Sequence, residues 1–202
     1  MLWYWEGKPK QPEPKHLVPR MSEAVNIHED LIQRCRQGDQ EAHFRLYQLY
    51  KKSMYNVGYR IVNNEDEAED VLQEAFISAF RNLSYYRGDA TFGAWLKRIV
   101  VNKAINYLNR RRLERLPDDE KWDVKDEEPT DALEHFPYTV AQVRDAIASL
   151  PDGYRAVLSL YLLEGYDHAE IGEILGISES TSKSQFNRSK KKLKAILEGK
   201  EL

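Results

Sequence analysis

The chain has 202 residues, 31% charged and 42% apolar, with a formal net charge of −3. That balance suits a soluble globular protein, and no apolar run approaches the roughly 20 residues of a membrane span. The one cysteine, Cys35, excludes an internal disulfide, and the absence of a Cys/His cluster excludes metal-finger spacing, which suits a reducing cytoplasm.

A slightly acidic total does not exclude nucleic acid, because phosphate binding needs only a local basic surface. Lys97, Arg98, Lys103, Arg110, Arg111, Arg112 and Arg115 stand against a single acid, Glu114. A second segment, from Lys183 to Lys194, carries cations and no acid. Between these basic segments lies an acidic one.

The first residues hold Pro9, Pro12, Pro14 and Pro19 and lack a secretory apolar stretch, so 1–24 is expected to be a disordered leader or tag. Within it Leu17 to Arg20 resembles a thrombin-type cleavage sequence, and Met21 resembles a start. Residues 25–115 read as a helical bundle. Leu31, Cys35, Ala42, Leu46, Leu49 and Tyr50 predict an opening pair of helices, the second continuing through Tyr55, Tyr59, Ile61 and Val62 to a turn at Asn63 and Asn64. In the next helix Leu72, Ala75, Phe76, Ala79, Phe80 and Leu83 form an apolar stripe opposite Asp66, Asp70, Gln73 and Glu74. After a loop over Ser84 to Ala90, a helix with an inner stripe of Leu96, Ile99, Val100, Ala104, Tyr107 and Leu108 completes the module.

Residues 116–138 are acidic, broken by Pro129, and poor in apolar periodicity, so they are expected to form a flexible linker. Residues 139–202 return to helical spacing. Helices over Val140 to Leu150 and Tyr154 to Leu163 are divided by Pro151 to Gly153, and Gly165 is expected to cap the second. Asp167 with Glu170 makes an acidic capping box for a short helix burying Ile171, Ile174 and Leu175. Gly176 stops that helix and Ser178 caps a longer basic one, giving a helix-turn-helix. Spacing turns Ser182, Phe186, Ser189 and Leu193 inward. Ser180, Thr181, Lys183, Ser184, Asn187, Arg188 and Lys191 are then the candidates for duplex contact.

Two runs resemble the sigma-70 family, and specifically its extracytoplasmic-function (ECF) sigma factors. The segment Leu150, Pro151 through Tyr154, Arg155, then Tyr166 to Ile177 and Ser178 to Leu193 resembles the domain that reads the minus-thirty-five promoter element. Glu67 to Phe76 resembles the polymerase-binding helix, and Tyr86 to Asp89 with Phe92, Trp95, Leu96, Ile99, Asn102 and Asn106 resembles the minus-ten-binding segment. The resemblance implies an all-α chain of two helical domains, with sigma region 2 in 25–115 and sigma region 4 in 139–202. It implies a non-catalytic subunit in the cytoplasm that needs no cofactor and directs RNA polymerase to promoters. The expected partners are core polymerase, through its β′ coiled coil and β flap, promoter DNA, and an anti-sigma factor, which is membrane-associated in some members.

The resemblance implies core-polymerase binding by Asp66, Asp70, Gln73 and Glu74, whose helical spacing forms one polar patch. For the minus-ten element it implies Tyr85, Tyr86, Arg87, Thr91, Trp95, Arg98, Asn102, Asn106, Arg110, Arg111 and Arg112. Aromatic platforms beside cations suit single-stranded DNA, with Asn102 and the Ser84 to Thr91 loop forming a pocket for a flipped base. Phe92 and Trp95 read first as core residues. Two positions depart from the family. Ser182 stands where valine is common, weakening packing, and Gln185 stands where arginine is common, removing an expected phosphate contact. A rival reading is a stand-alone dimeric helix-turn-helix regulator, although no long dimerisation helix is evident. An enzyme is disfavoured, since the five histidines are scattered and form no catalytic motif.

Overall fold

A computed structural model describes residues 28–114 and 138–199. The expected leader and nearly all of the acidic linker, including Asp126, Glu127 and Glu128, lie outside the described residues. Every regular element among the described residues is helical. The helices are α1 (Glu29–Arg36), α2 (Gln40–Val62), α3 (Glu65–Arg81), α4 (Phe92–Glu114), α5 (Val140–Ala148), α6 (Asp152–Leu162), α7 (His168–Leu175) and α8 (Glu179–Leu197). A 3-10 turn over Leu83–Tyr85 leads from α3 toward α4.

Short polar side chains set the helix boundaries. Asp39 accepts from Glu41 N and Ala42 N to start α2. Asn63 ends α2 in the left-handed region, at φ 55°, and Asn64 starts α3 by accepting from Glu67 N. Asn64 fills its role because its side chain satisfies the backbone locally, whereas Asn63 tolerates the left-handed conformation and its side-chain amide donates to Ala148 O of the second module at 3.0 Å.

Helices α2, α3 and α4 pack around a core that includes Ile61, Val62, Val71, Ala75, Phe92, Leu96 and Val100, all fully buried. Each large aliphatic buried in this way stabilises the fold by roughly 1.5–3 kcal/mol. The expected α3 stripe lies inward as Leu72, Ala75, Phe76 and Ala79. Leu49, expected in the interior, is 52% exposed, because it lies one position off the row formed by Leu46 and Tyr50. Helix α4 buries Val101 and Ile105 in addition to Leu96, Val100, Ala104 and Leu108 of the expected stripe, since α2 and α3 both cover it, while Ile99 and Tyr107 are half-buried.

In the second module α5, α6 and α7 surround the base of α8. The capping box of Asp167 and Glu170 forms, Gly176 closes α7 at φ 67°, and Ser178 accepts from Thr181 N to open α8. Helix α6 ends at Leu162 with Leu163 as its cap, and Gly165, at φ 77°, makes the turn beyond it. A β-carbon on Gly172 would lie 2.8 Å from Ile177 O, so the tight crossing of α7 and α8 depends on this glycine. The two modules also share one apolar cluster, in which Ala156, Val157 and Leu160 of α6 join Ile61 and Val62 of α2.

Candidate nucleic-acid and protein interfaces

The acidic face of α3 presents Asp66, Asp70 and Gln73 as exposed residues, with Glu74 half-buried at its edge. Its charge is partly engaged by α4. Tyr107 donates its hydroxyl to Asp70 Oδ2 at 2.8 Å, and Lys103 pairs with Glu74 at 3.3 Å. The hydrogen bond to Asp70 raises the Tyr107 phenol above its ordinary range. Asp66 and Gln73 lie one helical turn to either side of Asp70, and Ile77, 51% exposed, extends the face. The result is an acidic strip ending in an apolar contact, suited to a basic helical partner.

The segment from Leu83 to Asn106 sorts its residues into scaffold and surface. Tyr85 is 76% exposed, whereas Tyr86 is 4% exposed and donates its hydroxyl to Ala90 O at 2.6 Å. Tyr86, expected among the strand contacts, therefore braces the loop from beneath and offers no open ring face. Its ring meets Phe92 and Trp95, with centroids 5.7 and 5.2 Å away. Trp95 is half-buried, and Phe92 is fully buried. Thr91 starts α4 through Oγ1, which accepts from Ala94 N at 3.2 Å. Arg87, Arg98, Asn102, Asn106 and Arg110 are exposed, and the spacing of Arg98, Asn102 and Asn106 lines them along one side of α4. Arg112 falls on the last turn of α4.

Helix α8 turns Ser182, Gln185, Phe186 and Ser189 inward. Ser182 is fully buried, and its hydroxyl lies 3.0 Å from His168 Nδ1, so a polar partner replaces the packing that valine would supply. His168 also stacks on Tyr161 with centroids 4.5 Å apart. Burial first, and then the charge of Lys183, hold this imidazole below its ordinary pKa. Gln185 is 6% exposed, so position 185 belongs to the core of this module and is not placed as a phosphate contact.

Ser180, Thr181, Lys183 and Lys191 are exposed, and Ser184, Asn187 and Arg188 are half-buried. The Ser180 and Thr181 hydroxyls lie 2.8 and 2.7 Å from Ser178 Oγ, inside the cap of α8. Lys183 pairs with Glu179 at 2.6 Å. Arg188 Nε is buried without a hydrogen-bond partner among the described residues.

Sequence spacing gave no hint of the polar seam between the modules. Glu164, only 4% exposed in its side chain, pairs with Arg60 at 2.7 Å and lies 3.9 Å from Lys97, whose ammonium also donates to Glu164 O at 2.7 Å. Arg98 approaches Glu173 at 3.9 Å. Arg111 pairs with Glu67 in its own module and Asp152 in the other. Burial works to raise the Asp152 carboxyl, but hydrogen bonds from Arg111 and Arg155 overcome it and hold the group below the usual carboxylate range. Arg98 and Arg111, expected near DNA, thus face carboxylates of the second module, as does Lys97 of the same basic segment. No cluster of metal-ligating side chains occurs among the described residues.

Comparison with known proteins divides the chain at the same seam. Residues 46–114 match Sigma-70 region 2, and residues 141–193 match Sigma-70, region 4. Over 182 residues the chain is 30% identical to the ECF RNA polymerase sigma factor SigW of Bacillus subtilis, covering 82% of this chain and 94% of that protein. It is 34% identical over 156 residues to the ECF RNA polymerase sigma factor SigE of Mycolicibacterium smegmatis, covering 75% of this chain and 60% of that protein.

Two solved structures share the fold. CnrH in complex with the cytosolic domain of CnrY aligns with a TM-score of 0.51 at 24% identity, covering 86% of this chain and 99% of that one. The sigma factor RpoE in complex with the anti-sigma factor NepR from Bartonella quintana aligns at 0.52 and 18% identity, covering 76% of this chain and 95% of that one.

Proposed function

Because the chain belongs to the extracytoplasmic-function sigma factors of the sigma-70 family, we propose that it binds core RNA polymerase as a non-catalytic specificity subunit and opens promoters by capturing non-template minus-ten bases. Sigma factors of this family direct transcription with RNA polymerase, and the finer assignments rest on this chain's own surfaces. The observation that carries them is the pairing, in one module, of an exposed acidic face on α3 with an exposed row of Arg98, Asn102 and Asn106 on α4. A polymerase subunit that also holds a DNA strand needs both surfaces. A stand-alone operator binder needs only the helix-turn-helix.

In this reading Asp66, Asp70, Gln73 and Glu74 dock on the β′ coiled coil, and the second module approaches the β flap. Tyr85 offers a stacking face to unpaired bases, Asn102 lines the base pocket with the adjoining loop, and Arg110, Arg111 and Arg112 hold phosphates. Lys183, Ser184, Asn187 and Arg188 meet the minus-thirty-five duplex, with Lys191 on its phosphates.

An anti-sigma factor, membrane-associated in some family members, is the expected regulator, and the anti-sigma factor bound to a protein of the same fold supports that partner. Polymerase binding places the work in the cytoplasm, and no described helix is long and apolar enough to cross a membrane. The deciding experiment is transcription by purified core polymerase with this chain on a library of promoter fragments. Selective initiation is expected. Failure to bind core, together with tight dimeric binding to duplex DNA, would sink the proposal.

A further inference from the structure

Beside the loop that leads into α4 is an open cavity of ≈ 690 Å³ whose rim is drawn from separate parts of the first module. Arg36 comes from the end of α1, Arg81 from the end of α3, and Ser84 and Arg87 from the loop, while Leu83 and Tyr86 form part of the floor. No carboxylate is among its lining residues. Arg36, Arg81 and Arg87 are all exposed.

Arg36 is held in place by the loop. Its Nε donates to Leu83 O at 3.4 Å, and its Nη2 donates to Tyr86 O. Two of its five N–H donors are thereby used, and the rest of the fork is left for an acceptor above the cavity. Tyr85, exposed at 76%, stands between two lining residues, Ser84 and Tyr86. A rim of cations without acids beside an exposed aromatic is the combination that suits single-stranded nucleic acid, with a base on the ring and its phosphates between the cations.

We propose that this cavity is a second strand-binding subsite, in which Arg36, Arg81 and Ser84 hold the sugar-phosphate backbone next to the nucleotide stacked on Tyr85. The inference rests on the minus-ten reading of the loop and extends it to the α1 side of the module. The contacts are to phosphate, so the subsite adds affinity without reading sequence.

The test is fluorescence anisotropy of the full chain with a labelled mixed-sequence single-stranded DNA of about 12 nucleotides across a salt series. Arg81→Ala is expected to weaken binding about three- to tenfold at low salt. It should also reduce the slope of log affinity against log salt by about 0.7, the loss of one single-strand phosphate contact. Arg36→Lys, which keeps the charge but not the fork, is expected to weaken binding less than Arg36→Ala. Arg144→Ala, on the outside of α5, should leave both affinity and slope unchanged.

An unchanged slope in Arg81→Ala, or an equal loss in Arg144→Ala, would overturn the subsite. So would Arg81-dependent binding of polyglutamate with single-stranded DNA binding unaffected, which would assign the cavity to an acidic polypeptide. Core-polymerase binding by the wild-type chain, measured in parallel, reports separately on the sigma-factor reading, and Arg36, away from α3, keeps the strand subsite distinguishable from the docking face that Arg81 adjoins.

Discussion

Arg155 reaches from α6 into the first module and donates its Nε to the main-chain oxygen of Ile61 in α2, 3.3 Å away. The same guanidinium donates to Leu150 O at 2.7 Å and pairs with Asp152 at 2.6 Å, and its side chain is 4% exposed. A planar fork can meet acceptors in these three directions, and a lysine ammonium cannot reproduce that geometry. Arg155→Ala is expected to cost about 3–5 kcal/mol, as expected when one member of a buried charged network is removed, and Arg155→Lys about 2 kcal/mol. Urea denaturation measures both. A loss below about 1 kcal/mol in the alanine variant would show that the network is not needed to hold the seam.

Asp152 links that seam to acidity. Its carboxyl titrates below the usual range because the hydrogen bonds from Arg111 and Arg155 outweigh its burial. A depressed carboxylate contributes stability in full above its unfolded value of about 3.9, and the contribution disappears as pH falls through the lower folded value. The wild-type urea midpoint should therefore fall on acidification below about pH 4 more steeply than that of Asp152→Asn, which has no proton to gain. Parallel curves for the two proteins would remove Asp152 as a source of the acid sensitivity.

Gly172 and Gly176 separate two uses of glycine in the helix-turn-helix. At Gly172 a β-carbon would meet Ile177 O at 2.8 Å, whereas at Gly176 it would meet nothing within 4 Å but would sit on a left-handed backbone at φ 67°. Gly172→Ala must push the turn away from α7 and is expected to cost about 1–3 kcal/mol. Gly176→Ala bears only backbone strain, about 1 kcal/mol. Only the first should also reduce duplex binding measured well below the melting point, because it moves the start of α8. Equal effects on binding would mean that the crossing of α7 and α8 does not fix the orientation of α8.

The two proposed DNA surfaces are expected to separate in kinetics. Arg188→Ala is expected to cost about 1–3 kcal/mol on promoters that depend on the minus-thirty-five element. Asn102→Ala should slow opening more than it weakens the initial closed complex. Stopped-flow fluorescence of a labelled minus-ten base with the assembled polymerase resolves the steps. Equal loss at both stages would contradict the role given to Asn102.

What could be read from sequence was local. The α3 stripe of Ala75, Phe76 and Ala79, the capping box of Asp167 and Glu170, and the sequence Gly176-Ile177-Ser178 all place their partners within a few residues, where helical geometry dictates who meets whom. The burial of Val101 and Ile105 was not readable, because it depends on neighbours covering α4 beyond its predicted inner stripe. The bracing role of Tyr86 was not readable for a related reason, since an aromatic in a loop offers the same sequence signal whether it braces the loop or faces a base. Glu164 pairs with residues 104 and 67 positions away, and no spacing rule connects such partners. The same is true of Arg36, whose bonds to the loop span 47 and 50 positions.

On the proposed function, the seam makes closure and DNA rivals for the same cations. Lys97, Arg98 and Arg111 face Glu164, Glu173 and Asp152 of the second module, and a cation committed to a carboxylate is withheld from a phosphate. If the modules part when the proposed complex forms, the apparent affinity of the free chain for promoter DNA is its intrinsic affinity scaled by the fraction of molecules standing open. A partner that prefers the open arrangement raises that fraction and sharpens DNA binding without touching DNA. One that prefers the closed arrangement silences the chain without covering a single DNA-facing residue, and its whole leverage is the difference between its affinities for the two arrangements.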